Sequence, residues 1–170
     1  MKIEDNFLKQ EEFVQIQKLM GEPSPFPWFY TDRVISDYDT DKLIMFVHMF
    51  FDNHLPQPNY NIMIPLLELI NPFSIIRIQA NLLTRTPEIV ESKFHVDLSL
   101  PEQQLKQWTT SIFYVNSNNG YTKFEDGTKV ESVANRMVTF PANMKHMGSS
   151  CTNERTRVII NFNYGEKYEN

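Results

Sequence analysis

At 170 residues the chain is long enough to bury a core, and its formal net charge of −5, with no dense cluster of Lys and Arg, disfavours a nucleic-acid partner. The single cysteine, Cys151, excludes an internal disulfide framework and a four-cysteine zinc site, and fits a reducing compartment. The opening "MKIEDNFLKQEEF" is charged and amphipathic, unlike a signal peptide, and the longest apolar run, "LIMFVHMFF", is interrupted by His48 and too short to span a bilayer. The expectation is a soluble cytoplasmic protein with no membrane contact.

Residues 1–71 read as helical support and 72–165 as sheet, together one domain over 1–170. Phe7, Phe13, Ile16 and Met20 lie near helical spacing in a segment that ends at Gly21. "GEPSPFPWFY" is broken by prolines and should run extended, its aromatics packed in a cluster. A second helix is predicted across "DTDKLIMFVHMFFDNH", capped by Asp39, Thr40 or Asp41, with His48 and His54 given no role. A third fits "IPLLELI", where Pro65 suits the first turn. From Pro72 onward the pattern is strand and turn. In "FSIIRIQANLL", Ile76, Ile78, Ala80 and Leu82 alternate with Arg77, Gln79 and Asn81. "ESKFHVDLSLP", "WTTSIFYVN", "YTKFEDGTKVESV" with its Asp126-Gly127 hairpin signal, "NRMVTFP" and "RTRVIINFNY" complete the set. The fold class is mainly β with N-terminal helices (α+β), an antiparallel sandwich or jelly roll.

Side chains two apart on a strand share a face, so His95 and Asp97 should stand side by side. Either they hydrogen-bond to each other or they hold something between them. His146 follows just beyond the "MVTFP" strand, and Arg157 opens a strand whose Arg157, Ile159, Asn161 and Asn163 share one face while Val158, Ile160, Phe162 and Tyr164 share the other. Two imidazoles and a carboxylate are the donor set of a facial triad, which leaves positions open around a ferrous ion; a structural zinc site would close its shell with a fourth ligand.

The H-x-D of 95–97, His146 and Arg157 together resemble the 2-oxoglutarate- and iron(II)-dependent dioxygenases, within them the prolyl-hydroxylase branch, and more narrowly its compact bacteriophage-encoded versions. "SIFYVNSNNGYTKF" and "TFPANMKHMG" resemble that branch's strand and glycine turn and its approach to the distal histidine. The resemblance spans residues 72–165, with the N-terminal helices matching more loosely. It implies a double-stranded β-helix in which His95, Asp97 and His146 bind Fe(II) and are the catalytic centre, and Arg157 takes the distal carboxylate of the co-substrate 2-oxoglutarate. Arg155 is the rival for that carboxylate; Arg157 is preferred because it leads the apolar run, whereas Arg155 sits beside Glu154 in a polar loop.

The resemblance further implies that Tyr114 meets the same carboxylate; Asn81 and Arg77, on the polar face of the "FSIIRIQANLL" strand, are placed to touch the co-substrate or the prime substrate, although the family often has a tyrosine on that strand where this chain reads "ANLLTRT". Asp97 favours hydroxylation over halogenation. O₂ would be consumed, ascorbate would support activity in vitro, and 2-oxoglutarate would be decarboxylated to succinate as a prolyl peptide or a small amino-acid-like substrate is hydroxylated. "TRTPEIVESKF" should form a loop over the site. A phage-encoded protein would work in the host cytoplasm. The alternative is a non-catalytic jelly-roll module that binds a metal or a small carboxylate; a nucleic-acid demethylase is disfavoured by the acidic balance.

Overall fold

Strands dominate the computed structural model, which describes residues 1–21, 24–31 and 43–166. In chain order they run β1 (Lys2–Glu4), helix α1 (Gln10–Met20), β2 (Phe29–Thr31), β3 (Met45–Asp52), β4 (Leu55–Pro56) and a 3₁₀ turn (Tyr60–Met63) leading into α2 (Ile64–Ile70). Then come β5 (Ser74–Thr84), a single turn α3 (Glu102–Leu105), β6 (Thr109–Tyr114), β7 (Tyr121–Phe124), β8 (Lys129–Glu131), β9 (Arg136–Pro141), β10 (His146–Gly148) and β11 (Thr156–Gly165). The larger sheet has the order β1-β9-β6-β11-β5-β3-β2, with β4 on β3, and the smaller the order β10-β7-β8; every pairing is antiparallel. The architecture is a jelly roll. Among the described residues no helix is long and apolar enough to cross a membrane.

The larger sheet has two distinct faces because its strands alternate. Val158, Ile160, Phe162 and Tyr164 of β11 join Ile78, Ala80, Phe113 and Val115 in a core against Phe13, Ile16 and Met20 of α1 and Leu66 of α2. Phe13 meets Phe113 edge-on, with ring centroids 6.0 Å apart. Each such buried side chain contributes about 1.5–3 kcal/mol, more than a short isolated helix can supply for itself. The opposite face contributes Ile112, Tyr114 and Ile159 to a second cluster with Phe124 and Val130 of the smaller sheet.

Two expectations fail here. Met45–Asp52 is a strand, not the second helix; the proposed caps Asp39, Thr40 and Asp41 lie outside the described residues. Its apolar run carries no helical period, and it ends at Asn53 and His54, both with positive φ (50° and 63°), the two-residue hairpin loop that joins it to β4. Among the described residues of the first 71, four strands therefore stand beside the helices. Likewise "ESKFHVDLSLP" is not a continuous strand. It pairs with β10 and its extension at the isolated bridges Glu91–Ser149 and His95–His146, then bends inward, burying Leu98 against Leu105 and Ala142.

Other elements follow their sequence signals, whereas β1 and α3 had none. α1 ends at Gly21, and Pro65 sits in the first turn of α2. Gly127, with φ +88°, makes the turn between β7 and β8. In β5 the register against β11 slips at Asn163/Tyr164, so Tyr164 pairs with Ile75, Asn163 with Arg77, and Ile76 is the extra residue. Ile76 consequently packs with Val96 and Trp108 rather than on the helical side with Ile78, Ala80 and Leu82. The bulge lets both Ile75 and Arg77 reach their proper faces. Phe26 and Trp28 pack together at 5.0 Å, whereas Phe29 and Tyr30 are exposed. His48 is buried, its ring nitrogens 2.8 and 3.1 Å from the carbonyl oxygens of Pro27 and Pro58.

Candidate active site

His95 and His146 meet across their bridge, each backbone N–H donating to the other's carbonyl at 2.9 and 3.0 Å. Their ring centroids are 4.9 Å apart. The Nδ1 of His95 lies 2.9 Å from the Lys93 carbonyl, and that of His146 lies 3.2 Å from the Met144 carbonyl. Donation from Nδ1–H to those oxygens leaves the Nε2 lone pairs available. Both Nε2 atoms address one oxygen of Asp97, Oδ1, at 3.7 and 3.5 Å. The ligand atoms of His95, Asp97 and His146 all lie within 4.8 Å of one another. Although the expected strand is absent, the three side chains converge, and two neutral imidazoles with one carboxylate fit a ferrous ion.

The electrostatics of the trio are coupled. Burial works against the charge of Asp97, but the contact with His146 and the charges of His146, Arg77 and His95 outweigh it and hold the carboxyl well below its usual range. For His146, burial lowers the affinity for a proton and Asp97 more than restores it, so the net direction is upward. His95 moves down, first through burial and then through the neighbouring charge of His146.

The trio opens onto a cavity of about 280 Å³ between the sheets, which Arg77, Asn81 and Arg157 also line. Arg157 is 1% exposed, at the start of β11. Its Nε donates to Ser132 Oγ at 2.7 Å and its Nη2 to Thr122 Oγ1 at 3.1 Å, while Nη1 is buried without a partner. Among the described residues no carboxylate lies within ion-pair distance of this guanidinium. Burial pulls its pKa down from the ordinary value, with Tyr114 and Cys151 acting in the other direction. A buried cation with an unused donor is a receptor for an anion. Glycines make room for it: a Cβ on Gly120 would stand 2.7 Å from Arg157 Cδ, and one on Gly148 would stand 3.4 Å from Nη1.

Arg155 lies in the exposed bend before β11 and lines a different hollow, beside Gln17 and Asn116. Tyr114 is fully buried and does not line the cavity; its hydroxyl donates to Thr122 Oγ1 at 2.8 Å. Thr122 thus accepts from both Tyr114 and Arg157, and its own proton is the remaining donor. Asn81 lines the cavity, its Oδ1 accepting from Gln79 Nε2 at 2.6 Å. Of the "TRTPEIVESKF" segment, Ser92 is the residue that lines the cavity among those described.

Thr122, Ser132, Gln79 and the buried, unpartnered Oδ1 of Asn161 are additions from the structure. Strand parity placed Asn161 on the right face without assigning it a task; nothing in the sequence singles out Ser132.

No family model and no curated protein matches the sequence. Similar solved structures include a prolyl hydroxylase from Trichoplax adhaerens in complex with a hypoxia-inducible-factor oxygen degradation domain peptide (TM-score 0.69, 11% identity, covering 97% of this chain and 83% of that one). A prolyl-4-hydroxylase of Pseudomonas putida matches at TM-score 0.59 and 10% identity, over 98% and 92% of the two chains. The viral collagen prolyl hydroxylase of Paramecium bursaria Chlorella virus-1, solved with 2-oxoglutarate, matches at 0.56 and 14%, over 98% and 96%. In fold, therefore, this chain stands with the prolyl hydroxylases and other 2-oxoglutarate-Fe(II) oxygenases.

Proposed function

We propose that the protein is a 2-oxoglutarate- and Fe(II)-dependent dioxygenase that hydroxylates a prolyl peptide or a small amino-acid-like substrate. The observation that carries this reading is that one cavity holds both a convergent His95–Asp97–His146 donor set and, in Arg157, a buried guanidinium with an unpaired donor. When bound, Fe(II) supplies the activation of O₂ that no side chain offers. Overall, one oxygen atom enters the substrate C–H bond and the other enters succinate as CO₂ leaves 2-oxoglutarate.

The residues themselves would bind and orient. His95, Asp97 and His146 hold the metal through Nε2, Oδ1 and Nε2. Arg157, braced by Ser132 and Thr122, takes the 5-carboxylate of 2-oxoglutarate, with the Thr122 hydroxyl beside it. Tyr114 supports this end of the site, its hydroxyl donating to Thr122 and its ring lying beside the Arg157 guanidinium. Asn81 and the partly exposed Arg77 are available to the co-substrate or the prime substrate. Among the described residues Asp97 is the one acid that lines the cavity, against two arginines, so a site inside an acidic protein is locally cationic and suited to a dianion.

The peptide in the Trichoplax complex and the 2-oxoglutarate in the viral one support the two ligand classes as proposals for this chain. The test is succinate production by purified protein with Fe(II), 2-oxoglutarate, ascorbate and a panel of prolyl peptides and amino acids, with products searched for the mass of one added oxygen. Turnover is expected from wild type and not from His95→Ala. Equal turnover by the two would end the proposal. The absorption of the Fe(II)–2-oxoglutarate chelate under anaerobic conditions separates it from a non-catalytic carboxylate-binding module, which would give no such band.

A further inference from the structure

We infer that Asn163 is a positioning residue that decides which oxygen of Asp97 faces the metal; the inference rests on the metal-site reading above. Asn163 is fully buried on the cavity side of β11, paired across the sheet with Thr110 of β6 and Arg77 of β5. Its Nδ2 donates to Asp97 Oδ2 at 3.1 Å and to Thr110 Oγ1 at 3.0 Å, and its Oδ1 accepts from Arg77 Nε at 3.2 Å. Turning the amide over would set oxygen against carboxylate and NH₂ against guanidinium, so only one orientation satisfies the neighbours.

Oδ2 of Asp97 is thereby taken, and Oδ1 is the atom that both Nε2 nitrogens address. A carboxylate at liberty to rotate can offer a cation both oxygens. A carboxylate held in this way offers one, and the position it does not occupy remains available to a co-substrate. Arg77, with Nη2 3.9 Å from Oδ1 and a quarter of its side chain exposed, locks the amide from the far side.

The test is titration of the metal-free 170-residue protein with Co(II) alone, following the visible absorption of the bound ion. Asn163→Ala is expected to bind Co(II) about 10–100-fold more weakly, the usual consequence of losing such a supporting contact, and to give a spectrum of altered shape as the carboxylate swings. Thr110→Val removes a different bond of the same amide; it is expected to stay within about threefold of wild type with an unchanged spectrum, as its contact does not reach the ligand. Wild-type affinity and spectrum in Asn163→Ala would overturn the inference. Should that variant not fold, Arg77→Met releases the amide from its exposed side and is expected to alter the spectrum in the same direction; no alteration there would overturn it equally. Failure of the wild type to bind Co(II) would overturn the metal-site reading and this inference with it.

Discussion

Arg157 carries its charge into the interior with two hydroxyl partners, Ser132 and Thr122, and one donor left over. A lysine there would keep the charge but lose the planar fork and both hydroxyl contacts. Arg157→Lys is expected to weaken 2-oxoglutarate binding by roughly tenfold to a hundredfold, the worth of one or two charge-assisted hydrogen bonds, as read from anaerobic titration of the Fe(II) chelate absorption. Gly120 is the second residue on which the site depends. A methyl group there would meet Arg157 Cδ and Ser150 O, both at 2.7 Å, and Asn118 Oδ1 at 2.8 Å, and two of those atoms have little room to retreat. Gly120→Ala should cost about 1–3 kcal/mol in denaturant unfolding and displace the guanidinium, raising the Kd for 2-oxoglutarate as well. A variant of wild-type stability and affinity would contradict that reading of the contact.

Among the elements, β11 was legible residue by residue: its odd positions face the cavity and its even positions face the helices, as alternation demands. β3 was not. An unbroken apolar run looks alike whether it is a buried strand or a buried helix, and the signal that decides the case, the two-residue Asn53-His54 turn, is a weak one because it lacks the glycine that usually follows asparagine in such a turn. That weakness makes a prediction at this scale. His54→Gly converts the turn to Asn-Gly, relieves the left-handed strain, and should raise stability by about 0.5–1 kcal/mol, measured as a higher unfolding midpoint at unchanged slope. The bulge in β5 lay outside the reach of periodicity, because one inserted residue reverses the parity on only one side of it.

At the scale of the molecule, the N-terminal segment works at both edges of the larger sheet: β1 closes one against β9, and β2 and β3 extend the other. One buried side chain helps tie the segment down, beside the Arg136–Asp5 pair at the surface. Asn135, at φ 63°, accepts from the Leu8 N–H and donates to the Leu8 carbonyl, both at 2.9 Å, while its own carbonyl accepts from the Phe7 N–H. Asn135→Ala loses two buried hydrogen bonds and leaves a non-glycine residue in the left-handed region without its compensating amide. A loss of about 2–4 kcal/mol is expected, seen as one cooperative shift in thermal unfolding, since α1 covers the apolar face of the whole sheet.

From the sequence alone came the helix before Gly21, the helix at Pro65, the alternating strands from β5 onward, the Asp126-Gly127 hairpin, and the four residues His95, Asp97, His146 and Arg157 as the ones to watch. These are short-range patterns, set by which side chains share a face of one element. The choice of Arg157 over Arg155 as the buried cation of the cavity was settled by depth in the sheet. The hydrogen bond of Tyr114 to Thr122 joins the larger sheet to the smaller, and that of Asn163 to Asp97 joins residues 66 apart in sequence; neither follows from the alternation within one strand. Local alternation says which way a side chain points; only packing between the two sheets says what it meets there.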